Sequence, residues 1–223
     1  MASGNVKRLS IDCKATVLIG DLSRGGLTRG DHQACDHDLG CKEKDIPCGI
    51  VDEDTGQLSI MFGRSYKTSD CIVDTLEARW EALAAPEKAA VALLQINMDN
   101  GSESNGVRTQ FLHRIVQFAD HIATPIQLLY YPPYHSKYNP IERCWGILEL
   151  HWNGTKLIDV ETMLEWANRM TWKGIEPMVD LSRQVYHKGI SLGKRTMCEI
   201  EKRLERHPPW PKWDILIRPA SAL

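Results

Sequence analysis

No stretch of this 223-residue chain approaches the roughly 18 to 20 apolar residues of a membrane-spanning helix, which excludes an integral helical membrane protein. Its first residues, MASGNVKRLSID, lack the apolar core of a secretory signal, so the expectation is a cytoplasmic protein. Cysteine is sparse: seven residues, an odd number, are scattered singly with no C-x-x-C pair, which points to reduced thiols rather than a disulfide scaffold. Internal repeats, low-complexity tracts and a recognisable linker are also missing. One large domain is therefore expected rather than two, and a hydrophobic content of 43% gives it enough apolar surface for a sizeable core.

Excess charge of one sign is missing as well. The formal net charge is −2, but it is unevenly spread. Asp31 to Asp54 carries eight acids and two lysines, whereas Arg183 to Arg218 carries nine Lys/Arg against four acids. Such a basic segment can supply phosphate contacts through counterion release, and it can equally be a solvated helix face.

Alternation and turn signals lay out the elements that are present. Leu9 to Asp21 reads as a first strand, and Ile46 to Gly63 as a hairpin turning at Asp54-Thr55-Gly56. Together they make three antiparallel strands ending near Phe62. Thr68-Ser69-Asp70 opens a helix to about Ala84, with Ile72, Leu76, Trp80 and Leu83 on one stripe. Val107 to Ile122 is a second helix whose Phe111, Ile115, Phe118 and Ile122 form a core face. Asp159 caps a later helix, a lysine-rich helix spans about Lys194 to Arg206, and WPKWDILIRP reads as an exposed tail.

The acidic stretch DHQACDHDLGCKEKDIPC holds His32, Cys35, His37, Cys41 and Cys48, the side-chain types that bind zinc. Without a C-x-x-C pair the expectation is a polar loop with incidental thiols.

Ala92 to Trp152 organises the rest. Ala92 to Asn97 is a short apolar run closed by Asp99-Asn100-Gly101, a buried strand whose end turns sharply. Asp99 then stands at a strand's carboxyl end, where α/β sheets usually present ligand-binding groups. Asn139-Pro140-Ile141-Glu142 is a helix start with Asn as N-cap and Pro at the first helical position. Glu142 falls at the third position, where a capping-box bond to the Asn139 amide would contribute about 0.3–1 kcal/mol. The polar side chains just upstream, His135, Ser136, Lys137 and Asn139, could contact a phosphate or orient water, or be ordinary loop polarity. A third acid, Asp12, interrupts the first strand.

The wording INMDNG, then YYPPYHSKYNPIERCWGILE, then HWNG resembles the DDE transposases of bacterial insertion sequences, in particular the ISAzo-type group, distant relatives of mariner-like enzymes. The resemblance runs from about Ile11 through Pro219, with a longer gap from Asp99 to Glu142 than in mariner-type relatives. It implies an α/β fold: a ribonuclease H-like five-stranded mixed sheet flanked by helices, with a catalytic core over 1–158 and a helical C-terminal extension over 159–223 packed on it. It also implies Asp12, Asp99 and Glu142 as catalytic metal ligands for two Mg²⁺ ions, with Mn²⁺ as substitute. Asp12 would bridge both ions while Asp99 and Glu142 complete one site each. Hard cations of this kind prefer oxygen ligands, and a pair about 3.5–4 Å apart can stabilise both the attacking and the leaving oxygen of a phosphodiester. The implied partners are transposon ends and target DNA, with a homo-oligomer assembled on DNA. Relatives carry an N-terminal recognition region, which is expected to be missing ahead of Asp12. An inactive remnant or DNA-binding accessory, and a nuclease without strand transfer, are the alternative readings.

Overall fold

The structure, a computed structural model, describes residues 5–20, 41–132 and 135–220. In chain order its strands are β1 (Asn5–Cys13), β2 (Val17–Gly20), β3 (Cys41–Asp52), β4 (Leu58–Gly63), β5 (Val91–Met98), β6 (Ile126–Tyr130), β7 (Met178–Ser182), β8 (Leu204–Arg206) and β9 (Asp214–Ile217). The helices are α1 (Ser69–Glu81), α2 (Ala85–Ala90), α3 (Thr109–Ile122), α4 (Pro140–His151), α5 (Val160–Asn168) and α6 (Lys194–Glu201), with a 3-10 turn at Ser136–Tyr138.

The five expected strands form the middle of the sheet, in the order β4-β3-β1-β5-β6. β1, β3 and β4 pair antiparallel, while β5 and β6 continue in parallel from β1. The sheet is larger than five strands, however. β7 pairs with β4 at one edge, β9 and β8 extend the other beyond β6, and β2 folds back onto β3. The C-terminal segment therefore contributes strands as well as helices. Its DILI run is no exposed tail: Ile215 and Ile217 are fully buried beside β6. Four residues of alternation after a Pro-rich turn are too few to be told from a tail by pattern alone.

Period-two alternation divides the side chains between two cores. Leu9 and Ile11 of β1 face α1 and α3, joining Ile72, Leu76, Trp80, Phe111, Ile115 and Phe118. On the opposite side Leu58, Ile60 and Phe62 of β4 pack against Ile141, Trp145 and Leu148 of α4, its C-cap Trp152, and α5. The aromatics of α3 are thus packing groups, as their spacing predicts. The first strand breaks after Cys13, so that Asp12 lies at its carboxyl end rather than within a continuous strand to Asp21. Away from that end, Asp52 is fully buried between Lys7 at 2.5 Å and Arg79 at 3.2 Å.

His32, Cys35 and His37 lie outside the described residues. Cys48 sits in β3 with its side chain buried in the α1/α3 core.

A carboxylate pocket at the ends of β1 and β5

Parallel pairing sets Ile11 opposite Met98, so the chain leaves β1 and β5 at the same level and in the same direction. Asp12 and Asp99 follow these partners and line one small pocket of about 30 Å³, together with Cys13, Lys67, Gly101 and Ser104. The loop after Asp99 is tied down: the Gly101 amide donates to the Asp99 carbonyl at 2.9 Å, Ser104 Oγ donates to the same carbonyl at 3.3 Å, and Tyr130 Oη donates to the Ser104 carbonyl at 2.7 Å.

Glu142 is brought to this end by the start of α4. Asn139 is fully buried; its Oδ1 accepts from the Ile141 amide and its Nδ2 donates to the Ile11 carbonyl, each at 3.4 Å. One side chain therefore both caps α4 and fastens it to the strand residue next to Asp12. That is a positioning role for Asn139. Among the described residues nothing donates a hydrogen bond to the Glu142 carboxylate, so the capping-box bond is not made and this carboxylate is left part-exposed.

All three acids sense one another. Burial pushes the Asp12 carboxyl above its ordinary value, opposed by the Lys67 charge and by the hydrogen bond from Trp145. Burial likewise raises Asp99, with the Asp12 charge adding to it. Glu142 is raised by burial, then by Asp12 and by Asp99. One buried oxygen, Asp99 Oδ1, has no hydrogen-bond partner. An all-oxygen donor set of part-buried carboxylates with an orphaned oxygen fits a hard divalent cation. Among the described residues, however, no three His, Cys, Asp or Glu side chains are gathered tightly enough to grip an ion in this arrangement.

Trp145 and Lys67 belong to the site and were not legible as such. The Trp145 indole N–H donates to Asp12 Oδ2 at 3.0 Å. It reaches that position across Gly49, the β3 partner of Asp12, where an added Cβ would stand 2.5 Å from the indole ring. Helical spacing marks Trp145 as a core residue, and the only further signal is a glycine inside a strand. Lys67 precedes the N-cap of α1, and its Nζ lies 3.5 Å from the Cys13 carbonyl.

His135 and Lys137 are exposed, and Ser136 opens the 3-10 turn. The His135 ring stacks on Tyr138 at 5.8 Å, and Lys137 lies over the Tyr138 ring at 5.2 Å.

Four of the nine Lys/Arg of the basic C-terminal segment are committed to internal ion pairs. Arg203 pairs with Asp120, Arg206 with Glu201, Arg218 with Glu205, and Lys202 with Glu199. Lys188 instead lies over the Tyr66 ring at 4.1 Å, because Ser65 binds both the carbonyl and the amide of Tyr186 and draws this stretch onto the loop that carries Lys67.

The family model described as the Rhodopirellula transposase DDE domain matches residues 1–219. The chain belongs to this family. No curated protein matches the sequence. Among solved structures, the Mos1 transposase paired-end complex with left transposon end is similar with a TM-score of 0.50 at 11% identity, covering 71% of this chain and 46% of that one. The Mos1 strand transfer complex is similar with a TM-score of 0.48 at 11% identity, over 71% of this chain and 45% of the other. This DDE transposase domain thus spans less than half the length of the Mos1 chains it matches, and what it shares with the first of them is the fold, a mixed sheet of ribonuclease H-like type flanked by helices. Among the described residues no helix is long and apolar enough to cross a membrane.

Proposed function

We propose that this domain carries out phosphodiester cleavage and strand transfer at transposon ends, with Asp12, Asp99 and Glu142 as ligands for two Mg²⁺ ions. The observation that carries the reading is the placement of Asp12 and Asp99 on adjacent parallel strand ends, with Glu142 within their electrostatic reach. Such ions supply an activated nucleophile and stabilise the leaving 3′ oxygen. The protein's own contribution is to hold the oxygens ready. Trp145 fixes one oxygen of Asp12 and so aims the other into the pocket. Asn139 locks the helix of Glu142 to β1, and the tethered 100–105 loop sets Asp99. DNA at transposon ends and targets is the partner, with assembly of more than one copy on it. Residues 1–158 form the catalytic core and 159–223 a mixed extension packed on it.

An element-end duplex and a scrambled duplex incubated with Mg²⁺ or Mn²⁺ test this. Metal-dependent nicking and joining that vanish in Asp99→Ala are expected. Metal-dependent binding without any cleavage, unchanged in Asp99→Ala, would leave a DNA-binding accessory instead.

A further inference from the structure

Lys67 has an unusual position for a lysine beside three acids. Its backbone is fixed, because the next residue, Thr68, caps α1 by accepting from the Cys71 amide at 3.2 Å. The stem then reaches into the pocket that Asp12 and Asp99 line. The ammonium is lightly held: among the described residues its one hydrogen bond is to the Cys13 carbonyl at 3.5 Å, and no carboxylate lies within ion-pair distance. Lys14, the other cation that acts on Asp12 and Glu142, is committed to Glu149 at 2.6 Å. Among the described residues Lys67 is the one cation whose charge acts on all three acids, and in the same pocket Asp99 Oδ1 is buried without a hydrogen-bond partner.

We infer that Lys67 is the resident counter-charge of the acid pocket and also a phosphate contact, balancing the carboxylates while the pocket holds no ion and turning to a DNA phosphate when divalent ions occupy it. The inference rests on the proposed function and deepens it. A compact charge on a flexible four-carbon stem can make this move. Like charge supplies the displacement, since a divalent ion among the carboxylates repels the ammonium at short range in a part-buried site. DNA binding and metal binding are thereby coupled through one side chain.

Two measurements on the whole chain test this: Mn²⁺ titration without DNA, and the salt dependence of binding to a duplex in Ca²⁺. Lys67→Met should bind Mn²⁺ roughly 3- to 10-fold more tightly, because a competing charge has been removed. The same variant should lose about one from the log–log salt slope of duplex binding. Lys67→Arg, which keeps the charge, should restore the slope and the weaker Mn²⁺ affinity, which a merely structural role would not do. If Asp99→Asn abolishes Mn²⁺ binding but either readout in Lys67→Met stays at its wild-type value, the role given to Lys67 is wrong and the metal site stands. If the wild-type chain shows no Asp99-dependent Mn²⁺ binding, the proposed function itself fails, and this inference with it.

Discussion

Trp145 Nε1 donates a hydrogen bond to Asp12 Oδ2 at 3.0 Å, joining the helix that carries Glu142 to the strand that carries Asp12. Gly49 makes the contact possible by leaving room for the indole. Trp145→Phe removes the donor while keeping most of the ring. Hydrogen bonds to charged groups are worth about 1.5–3 kcal/mol, and a loss of that order is expected in chemical denaturation. Because the Trp145 bond opposes the upward shift of Asp12, its loss should also move the pH dependence of Mn²⁺ binding to higher pH. Gly49→Ala should show both effects, since a Cβ there overpacks the same ring for about 1–3 kcal/mol.

The acid pocket should cost stability at neutral pH when no ion is bound. Folded-state values of Asp12, Asp99 and Glu142 are raised, by burial first and, for Asp99 and Glu142, by neighbouring acid charge next. The folded protein then holds protons more tightly than the unfolded chain, so stability falls as pH rises from the ordinary carboxylate range through these raised values. Asp99→Asn should therefore raise the neutral-pH Tm of the ion-free protein by about 2–4 °C, equivalent to about 1 kcal/mol. Added Mn²⁺ should raise the Tm of the wild type and leave the variant unchanged, which differential scanning fluorimetry reads directly.

Asp52 carries the opposite sign. Burial would raise its carboxyl, but the Lys7 ammonium, the Thr55 amide and the Arg79 charge outweigh it and hold the value below the ordinary range. Its stabilising contribution is present above that range and is lost as pH falls through the depressed folded value. Asp52→Asn leaves Lys7 with Glu87 at 2.6 Å but strands the buried Arg79 charge, which has no other carboxylate partner among the described residues, and should cost about 3–5 kcal/mol in a urea denaturation series.

Duplex binding should depend on particular cations rather than on the sum of basic residues. Lys202, Arg203, Arg206 and Arg218 are matched by carboxylates, so Arg218→Ala should change DNA affinity by less than about twofold. Lys188→Ala should reduce the salt slope by about one, because this lysine stands beside the loop of the pocket without a carboxylate partner among the described residues. Equal effects for the two variants would show that the basic segment acts only through its total charge.

Much of the fold can be read from local pattern because the signals agree. Thr68, Asn139 and Asp159 are the caps that their sequence positions announce, each accepting from an amide two or three residues on. The stripes of α1 and α3 are buried where their spacing requires. What pattern could not reveal is long-range. The DILI strand gains its place in the main sheet by pairing with β6, nearly ninety residues earlier in the chain. Trp145 reads as core and is also a hydrogen-bond donor to Asp12, because its ring packs on apolar neighbours while its N–H reaches that carboxylate. Asn139 reads as a loop contact and is a buried clamp. The acids themselves were named by family resemblance, since spacing does not distinguish Asp12, Asp99 and Glu142 from twenty-six other carboxylates in a chain with 29 Asp and Glu.

The central claim, that these three carboxylates form one divalent-metal centre, is tested most directly by crystals of the chain soaked in Mn²⁺ and measured for anomalous scattering. The account predicts Mn²⁺ peaks coordinated by Asp12, Asp99 and Glu142, with the Glu142 side chain turned toward both aspartates and the peaks absent in Asp99→Asn. Peaks at other residues only, with Glu142 directed away from both aspartates at saturating Mn²⁺, would contradict it.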